Sequence, residues 1–347
     1  MSDTKNTSTQ LPPLNLPYIG RFAPSPSGKL HFGSLISAVS SYCDAKAHSG
    51  KWLVRIEDLD PPREEVGASI CILSSLESHG LMWDDTALYQ SQRLPAYQET
   101  FEALKDSIYP CDCIRQRILS LNGRYDGHCR HCSPPSNATI AWRLNTNLHP
   151  HLLSSSEHFD DIFLGEQHLA LDAVGDFIIR RKDTLFSYQL AVVIDDLFQR
   201  ITHVIRGQDL LDSTYRQRYL FLLLTSQKIT LATKLPNCPL LASSETNPFL
   251  PKYGHTPLAL GEDQHKLSKQ TKANPINDTR AATNLIAALT FLGHPPPQEL
   301  LARELKGNFN TNKSLQHCTE ILDWATDNWS RTKVPKNSSV APTLADA

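Results

Sequence analysis

The stretch CDCIRQRILSLNGRYDGHCRHC, residues 111–132, holds the densest set of metal-binding side chains in the chain. Two thiols one residue apart, followed by further donors in a short segment, is the pattern of a structural zinc site, which takes four tetrahedral ligands. The candidates are Cys111, Cys113, Cys129, His131 and Cys132, with Tyr125 as a less common phenolate donor. A second set lies in residues 18–60, where Arg21, Ser25, His31, Glu57 and Asp58 are types that bind phosphates, carboxylates and ammonium groups. A third is KLSK, in which Lys266 and Lys269 are compact cations suited to neutralising phosphate charge.

These side chains need elements to hold them. Residues 18–22 form a short apolar-aromatic run, and Pro24, Pro26 and Gly28 then force the chain to turn. Leu35, Ile36, Val39 and Cys43 recur at helical spacing, and Gly50 marks where that helix stops. Residues 52–56 resume as a strand with Glu57 and Asp58 at its carboxyl end. Strand, helix and strand in this order predict a parallel pair with a right-handed crossover. Ligands of such sheets bind outside the carboxyl ends of the strands, which gathers the five charged and polar residues around one crevice. A helix beginning near His31 points N–H groups at that crevice and favours phosphate. Gly33 and Ser34 are small enough to let a flat ligand approach. The glycine spacing of a dinucleotide fingerprint or a Walker loop is missing, which argues against both. Farther along, residues 188–196 read as a helix and 201–205 as a buried strand, with Arg206 at its carboxyl end facing a ligand. Arg180 and Arg181 read as solvated charges. A strand over 257–260 leads into the KLSK loop.

RFAPSPSGKLHFGSL followed by RIEDLD resembles the first half of class I glutamyl-tRNA synthetases, with HFGS where that class carries its HIGH-type motif. HVIRGQDL and KLSK, in this order, extend the resemblance over residues 17–335, with Gln270 in place of the last serine of the class's KMSKS-type loop. The chain after Lys269 is short for an anticodon-binding region. The resemblance therefore points to the paralogue within this family that lacks one and modifies tRNA for aspartate. It implies a doubly wound, parallel-sheet, Rossmann-like α/β catalytic domain with an inserted zinc-containing subdomain and a short helical C-terminal region. It implies ATP-dependent activation of L-glutamate to glutamyl-adenylate, with Mg²⁺, and transfer of glutamyl to the queuosine base in the anticodon loop of tRNA(Asp). Rival expectations are a truncated glutamyl-tRNA synthetase charging a tRNA 3′ end, and a catalytically silent tRNA-binding paralogue.

Site roles follow from the same resemblance. Glutamate would contact Arg21, Phe22, Ala23, Pro24, Ser25, Glu57, Tyr188 and Arg206. ATP would contact His31, Gly33, Ser34, Lys266 and Lys269, of which His31 and Lys269 act on the phosphates during catalysis. The CxC…Yx3C spacing selects Cys111, Cys113, Tyr125 and Cys129 as the ligands of one structural Zn²⁺. Bidentate geometry suits both arginines to carboxylates, and Glu57 to the ammonium; which arginine takes which carboxylate stays open.

The chain has 347 residues, 40% of them hydrophobic, and a formal net charge of −2. That length supports a sizeable core, and the balance argues against a globally basic nucleic-acid binder while leaving room for a basic face. The longest apolar run, residues 219–224, is far too short to span a bilayer, and MSDTKNTSTQ is no signal peptide. The expectation is a cytoplasmic monomer that does not engage membranes. Eight clustered cysteines point to metal rather than disulfides. The expected organisation is a disordered tail over 1–14, catalytic halves over 15–105 and 176–262, and the zinc-containing insert over 106–175. The KLSK loop and a helical stem-contact region follow over 263–335, with a second tail over 336–347.

Overall fold

The computed structural model describes residues 16–121, 125–169, 175–226, 250–261, 274–304 and 311–341. The chain opens with β1 (Ile19–Phe22), α1 (Phe32–Ala47) and β2 (Lys51–Ile56), and β1 and β2 pair in parallel with Arg21 opposite Leu53. Next come α2 (Ala68–Ser78) and β3 (Leu88–Tyr89), which adds to β2 in parallel, then α3 (Leu94–Ala103). The second half supplies α6 (Tyr188–Phe198), β9 (His203–Gly207), α7 (Leu211–Ser226) and β10 (Lys252–Thr256), with β9 and β10 again parallel. Thr202 joins the two parts: its N–H donates to Ile19 O at 2.9 Å and its carbonyl accepts from Lys252 N at 2.9 Å. The result is an α/β fold in which β1, β2 and β3 run parallel to one another, as do β9 and β10.

Both faces of this sheet are covered. Along β2, Trp52, Val54 and Ile56 pack with Leu35, Ile36 and Val39 of α1, while Leu53 packs against Leu190 and Ile194 of α6. Alternation of neighbouring side chains to opposite faces is what a strand dictates; the Trp52 face is apolar, as in buried parallel strands, while the Leu53 face also carries the buried Arg55. Gly50 has no room for a side chain: a Cβ there would lie 2.7 Å from Tyr18 O.

Between the halves lie β4 (Ile108–Cys111), α4 (Arg115–Ser120), β5 (Ala141–Leu144), α5 (Pro150–Glu157), β6 (His158–Asp161), β7 (Gly165–His168) and β8 (Phe177–Arg180). β4, β5 and β8 form one antiparallel sheet, and β6 and β7 form a hairpin. Phe177–Arg180, on the catalytic side of the boundary expected at 175/176, thus pair with the intervening stretch instead. The C-terminal part comprises β11 (Ala259–Leu260), α8 (Ala281–Phe291), α9 (Gln298–Glu304), α10 (Thr311–Asp327) and β12 (Ser339–Val340).

Two expectations shift. Of the strand expected over 257–260, Ala259–Leu260 is present as β11, and a longer strand, β10, precedes it at Lys252–Thr256 and stops before Pro257, which has no N–H to donate to a ladder. Ser339 and Val340, assigned from sequence to the terminal tail, pair in parallel with Ala259 and Leu260. The expected tail over 1–14 lies outside the described residues. Among the described residues, no helix is long and apolar enough to cross a membrane.

Candidate functional site

A cavity of about 520 Å³ opens at the carboxyl ends of β1, β9 and β10. Arg21, Phe22, Ala23, Pro24 and Ser25 line it from the turn after β1, and His31, Gly33 and Ser34 from the start of α1. Tyr188 and Arg206 close its other side. The proline-rich loop is fixed from below, since Glu57 N donates to Pro24 O at 3.0 Å and Glu65 N to Pro26 O at 2.9 Å. His31 is the N-cap of α1, its Nδ1 accepting from Ser34 N at 3.3 Å. The imidazole therefore satisfies one orphan amide of the first turn and stands at the positive end of the helix.

Each arginine is held by buried partners. Arg21 Nε lies 3.3 Å from Asp196 Oδ1, and Arg55, which is fully buried, meets the same oxygen at 2.8 Å and Gln199 Oε1 at 2.7 Å. Burial alone would raise the Asp196 carboxyl, but Arg21 and Arg55 outweigh it and hold the group below the usual range. Glu57 sits near this cluster, 3.7 Å from Arg55 and with a side chain only 9% exposed. Burial pushes its carboxyl from 4.5 up to about 7, against the pull of Arg55 and Arg21. Tyr188, half-buried at the cavity wall, has its phenol raised by desolvation.

Arg206 uses all five of its N–H groups. Nε donates to His255 Nε2 at 3.2 Å; one terminal nitrogen reaches Gln217 Oε1 at 2.7 Å and Tyr188 Oη at 3.3 Å. The other reaches Thr214 Oγ1 at 2.6 Å and Leu210 O at 3.3 Å. An incoming carboxylate can exchange with the two 3.3 Å bonds, the weakest of the set.

The sequence reading missed Arg55, Asp196, Gln217, Asp161 and His255. The paired acids in AVVIDDLF were the available signal, because two carboxylates in a helix this apolar must have partners. Lys266 and Lys269 lie outside the described residues. Arg181, read as solvated, is 38% exposed and pairs with Asp60 and Asp183.

The thiols assemble elsewhere. Cys111, Cys113 and Cys129 bring their sulfurs within 4.8 Å of one another. Tyr125 Oη lies 3.8 Å from Cys111 Sγ and accepts from Cys129 N at 2.7 Å. His131 and Cys132 are exposed and outside this cluster. Burial would raise Cys111, but a hydrogen bond from Arg143 at 3.2 Å holds it below the ordinary thiol value. Cys113 is pushed up to about 12, first by burial and then by Cys129 and Cys111. Three crowded sulfurs with a phenol oxygen alongside fit a soft divalent cation.

The family model described as "tRNA synthetases class I (E and Q), catalytic domain" matches residues 19–235. Fold and cavity agree with that class. Two bacterial structures share the fold, each covering 93% of this chain. The glutamate-tRNA synthetase of Elizabethkingia anophelis has a TM-score of 0.65 at 20% identity, with 68% of its own chain covered. The glutamate tRNA ligase of Elizabethkingia meningosepticum, in complex with its amino acid, has a TM-score of 0.64 at 22% identity, with 67% covered. The Glutamyl-Q tRNA(Asp) synthetase of Serratia proteamaculans is 42% identical over 93% of this chain and 94% of its own. That of Colwellia psychrerythraea is 43% identical over 92% of both. The chain belongs to the glutamyl-Q tRNA(Asp) synthetase family of class I synthetases.

Proposed function

We propose that this chain is an ATP-dependent ligase that activates L-glutamate and transfers it to queuosine in the anticodon loop of tRNA(Asp). The observation that carries the reading is a single cavity lined by Arg21, His31, Tyr188 and Arg206 at the carboxyl ends of parallel strands. Family membership at 42% identity over nearly the whole chain supports the choice of substrates. In the first step an oxygen of the glutamate α-carboxylate attacks the α-phosphorus of ATP, which is bound as its Mg²⁺ complex. The bond to the bridging oxygen of the β-phosphate breaks, and pyrophosphate leaves. In the second step a hydroxyl oxygen of queuosine attacks the acyl carbon; AMP leaves, and the hydroxyl proton passes to a phosphate oxygen or to water.

No protein nucleophile is needed; positioning and charge neutralisation lower the barrier. Arg21 and Arg206 receive the two carboxylates, Glu57 the ammonium, and Phe22, Ala23, Pro24, Ser25 and Tyr188 wall the amino-acid subsite. His31 and the first amides of α1 serve the phosphates, Gly33 and Ser34 leave room for the nucleoside, and Lys266 and Lys269 neutralise the triphosphate.

The thiol cluster is read as a structural Zn²⁺ site of Cys111, Cys113, Tyr125 and Cys129. A bound ion would cross-link β4 to the 125–129 turn and, with four protein ligands, offer no position to substrate. Glutamate-dependent ATP–pyrophosphate exchange tests the first step. Labelled glutamate with tRNA that contains or lacks queuosine tests the second; equal labelling of both tRNAs rejects the assignment.

A further inference from the structure

His255 is the cross-strand neighbour of Arg206 on the paired strands β9 and β10. Its Nδ1 lies 2.5 Å from Asp161 Oδ2, and both side chains are wholly excluded from solvent. Asp161 is the last residue of β6, in the stretch between the two catalytic halves. Its other oxygen accepts three backbone N–H groups: Phe163 at 2.9 Å, Leu164 at 3.0 Å and His255 itself at 3.1 Å. The hairpin is pressed onto β10 at this point. Ile162 N donates to Tyr253 O at 2.8 Å, and the place of a Cβ on Gly254 is 3.0 Å from Ile162 Cβ.

These contacts fix the tautomer of His255 from both ends. A carboxylate only accepts, so the ring proton sits on Nδ1. A guanidinium only donates, so Nε2 must present its lone pair to Arg206 Nε, 3.2 Å away. Thr214 Oγ1 lies 3.0 Å from the same Nε2 and 2.6 Å from Arg206, completing the ring of contacts. Burial and the nearby Arg206 both disfavour a charged imidazole, and its pKa stands below the ordinary histidine value.

We propose that Asp161 and His255 are a positioning pair that aims the Arg206 guanidinium into the glutamate subsite, with Asp161 supplied by the hairpin between the catalytic halves. The proposal rests on Arg206 being a glutamate contact. The pair touches no substrate. It sets which nitrogen of the ring accepts, and so where the guanidinium plane lies. The amino-acid subsite is then completed by a residue from outside the parallel-sheet halves.

Asp161→Asn is the sharpest test, because it keeps size and hairpin contacts. Three backbone donors demand an acceptor, so the amide oxygen stays with them and the NH2 turns to Nδ1. The ring proton must then move to Nε2, where it meets the Nε–H of Arg206. Two donors face each other and the guanidinium shifts. Losing a hydrogen bond to a charged group is worth roughly ten- to a hundred-fold. In glutamate-dependent ATP–pyrophosphate exchange, Asp161→Asn is expected to raise the KM for glutamate at least about ten-fold while the KM for ATP stays within about two-fold. His255→Phe should do the same. His255→Gln, whose amide oxygen reaches the Nε2 position, should recover part of the loss.

Arg206→Lys is the control on the underlying reading. If it raises the glutamate KM while Asp161→Asn and His255→Phe leave it unchanged, the pair has no positioning role and Arg206 keeps its own. If Arg206→Lys is also silent, both ideas fall. Parallel losses in both KM values with a lowered Tm mean that the pair only supports the fold, which overturns the proposal. A glutamate-selective loss with the order wild type, Gln, Phe at residue 255 sustains it.

Discussion

Raising the pH from 6 to 8 should strengthen glutamate binding about ten-fold, and Glu57→Gln should abolish that dependence. Glu57 is buried beside Arg55, and desolvation moves its carboxyl from 4.5 to about 7. The sign follows from which form the fold prefers. A raised carboxyl pKa means that the folded protein favours the protonated acid, so the group costs nothing below 4.5. Stability is lost as pH rises through about 7, by on the order of 3 kcal/mol. The glutamate ammonium offsets that cost by adding a second counter-charge to the one Arg55 supplies at 3.7 Å. With a pKa of about 7, the ionised fraction is about a tenth at pH 6 and about nine-tenths at pH 8. If only the ionised form binds the ammonium, the KM for glutamate falls by the ratio of those fractions. The assay is ATP–pyrophosphate exchange at saturating ATP across this range, in which free glutamate keeps its charge. A flat wild-type profile, or an equal slope in Glu57→Gln, refutes the reasoning.

Other outcomes follow from the same structure. Lys269→Ala should lower glutamate-dependent exchange on the order of a hundred-fold, as loss of one preorganised charge contact does, read by initial rates against wild type. Cys111→Ser should lose about one zinc per chain by elemental analysis and unfold the intervening stretch locally, with the KM for glutamate in exchange unchanged; retained metal, or metal lost through Cys132→Ser instead, contradicts the ligand set. Asp44→Ala should lower the unfolding free energy by about 3 kcal/mol in urea titrations. Its fully buried carboxylate binds Tyr18 Oη at 2.6 Å, Trp329 Nε1 at 3.0 Å and Arg331 Nε at 2.8 Å, so its removal strands Arg331.

The crossover around the site was legible because its signals are local. Pro24, Pro26 and Gly28 punctuate the loop, the apolar period runs through α1, and Glu57 ends β2. Arg206 was legible as a strand-end charge. What holds these groups was not. Asp196 meets Arg21 and Arg55 across 175 and 141 residues, and Asp161 meets His255 across 94. Such pairings depend on how strands stack in space and leave no period in the chain. KYGHT has no clear apolar alternation, and its burial comes from β9 and the 158–168 hairpin. Tyr125 was singled out by family spacing alone, and its place beside Cys111 and Cys129 needs the fold of β4 against the 125–129 turn.

The central claim is that the acceptor is queuosine in an anticodon loop, and an isolated anticodon stem-loop tests it most directly because it has no acceptor end. Short stems closed by unstacked loop bases can be gripped by backbone shape and base contacts. The account predicts that this stem-loop, carrying queuosine, takes up labelled glutamate in an ATP-dependent, alkali-labile bond, and that the same stem-loop with guanosine in place of queuosine does not. An unlabelled queuosine stem-loop, alongside an intact tRNA for glutamate charged at its 3′ end, would contradict it.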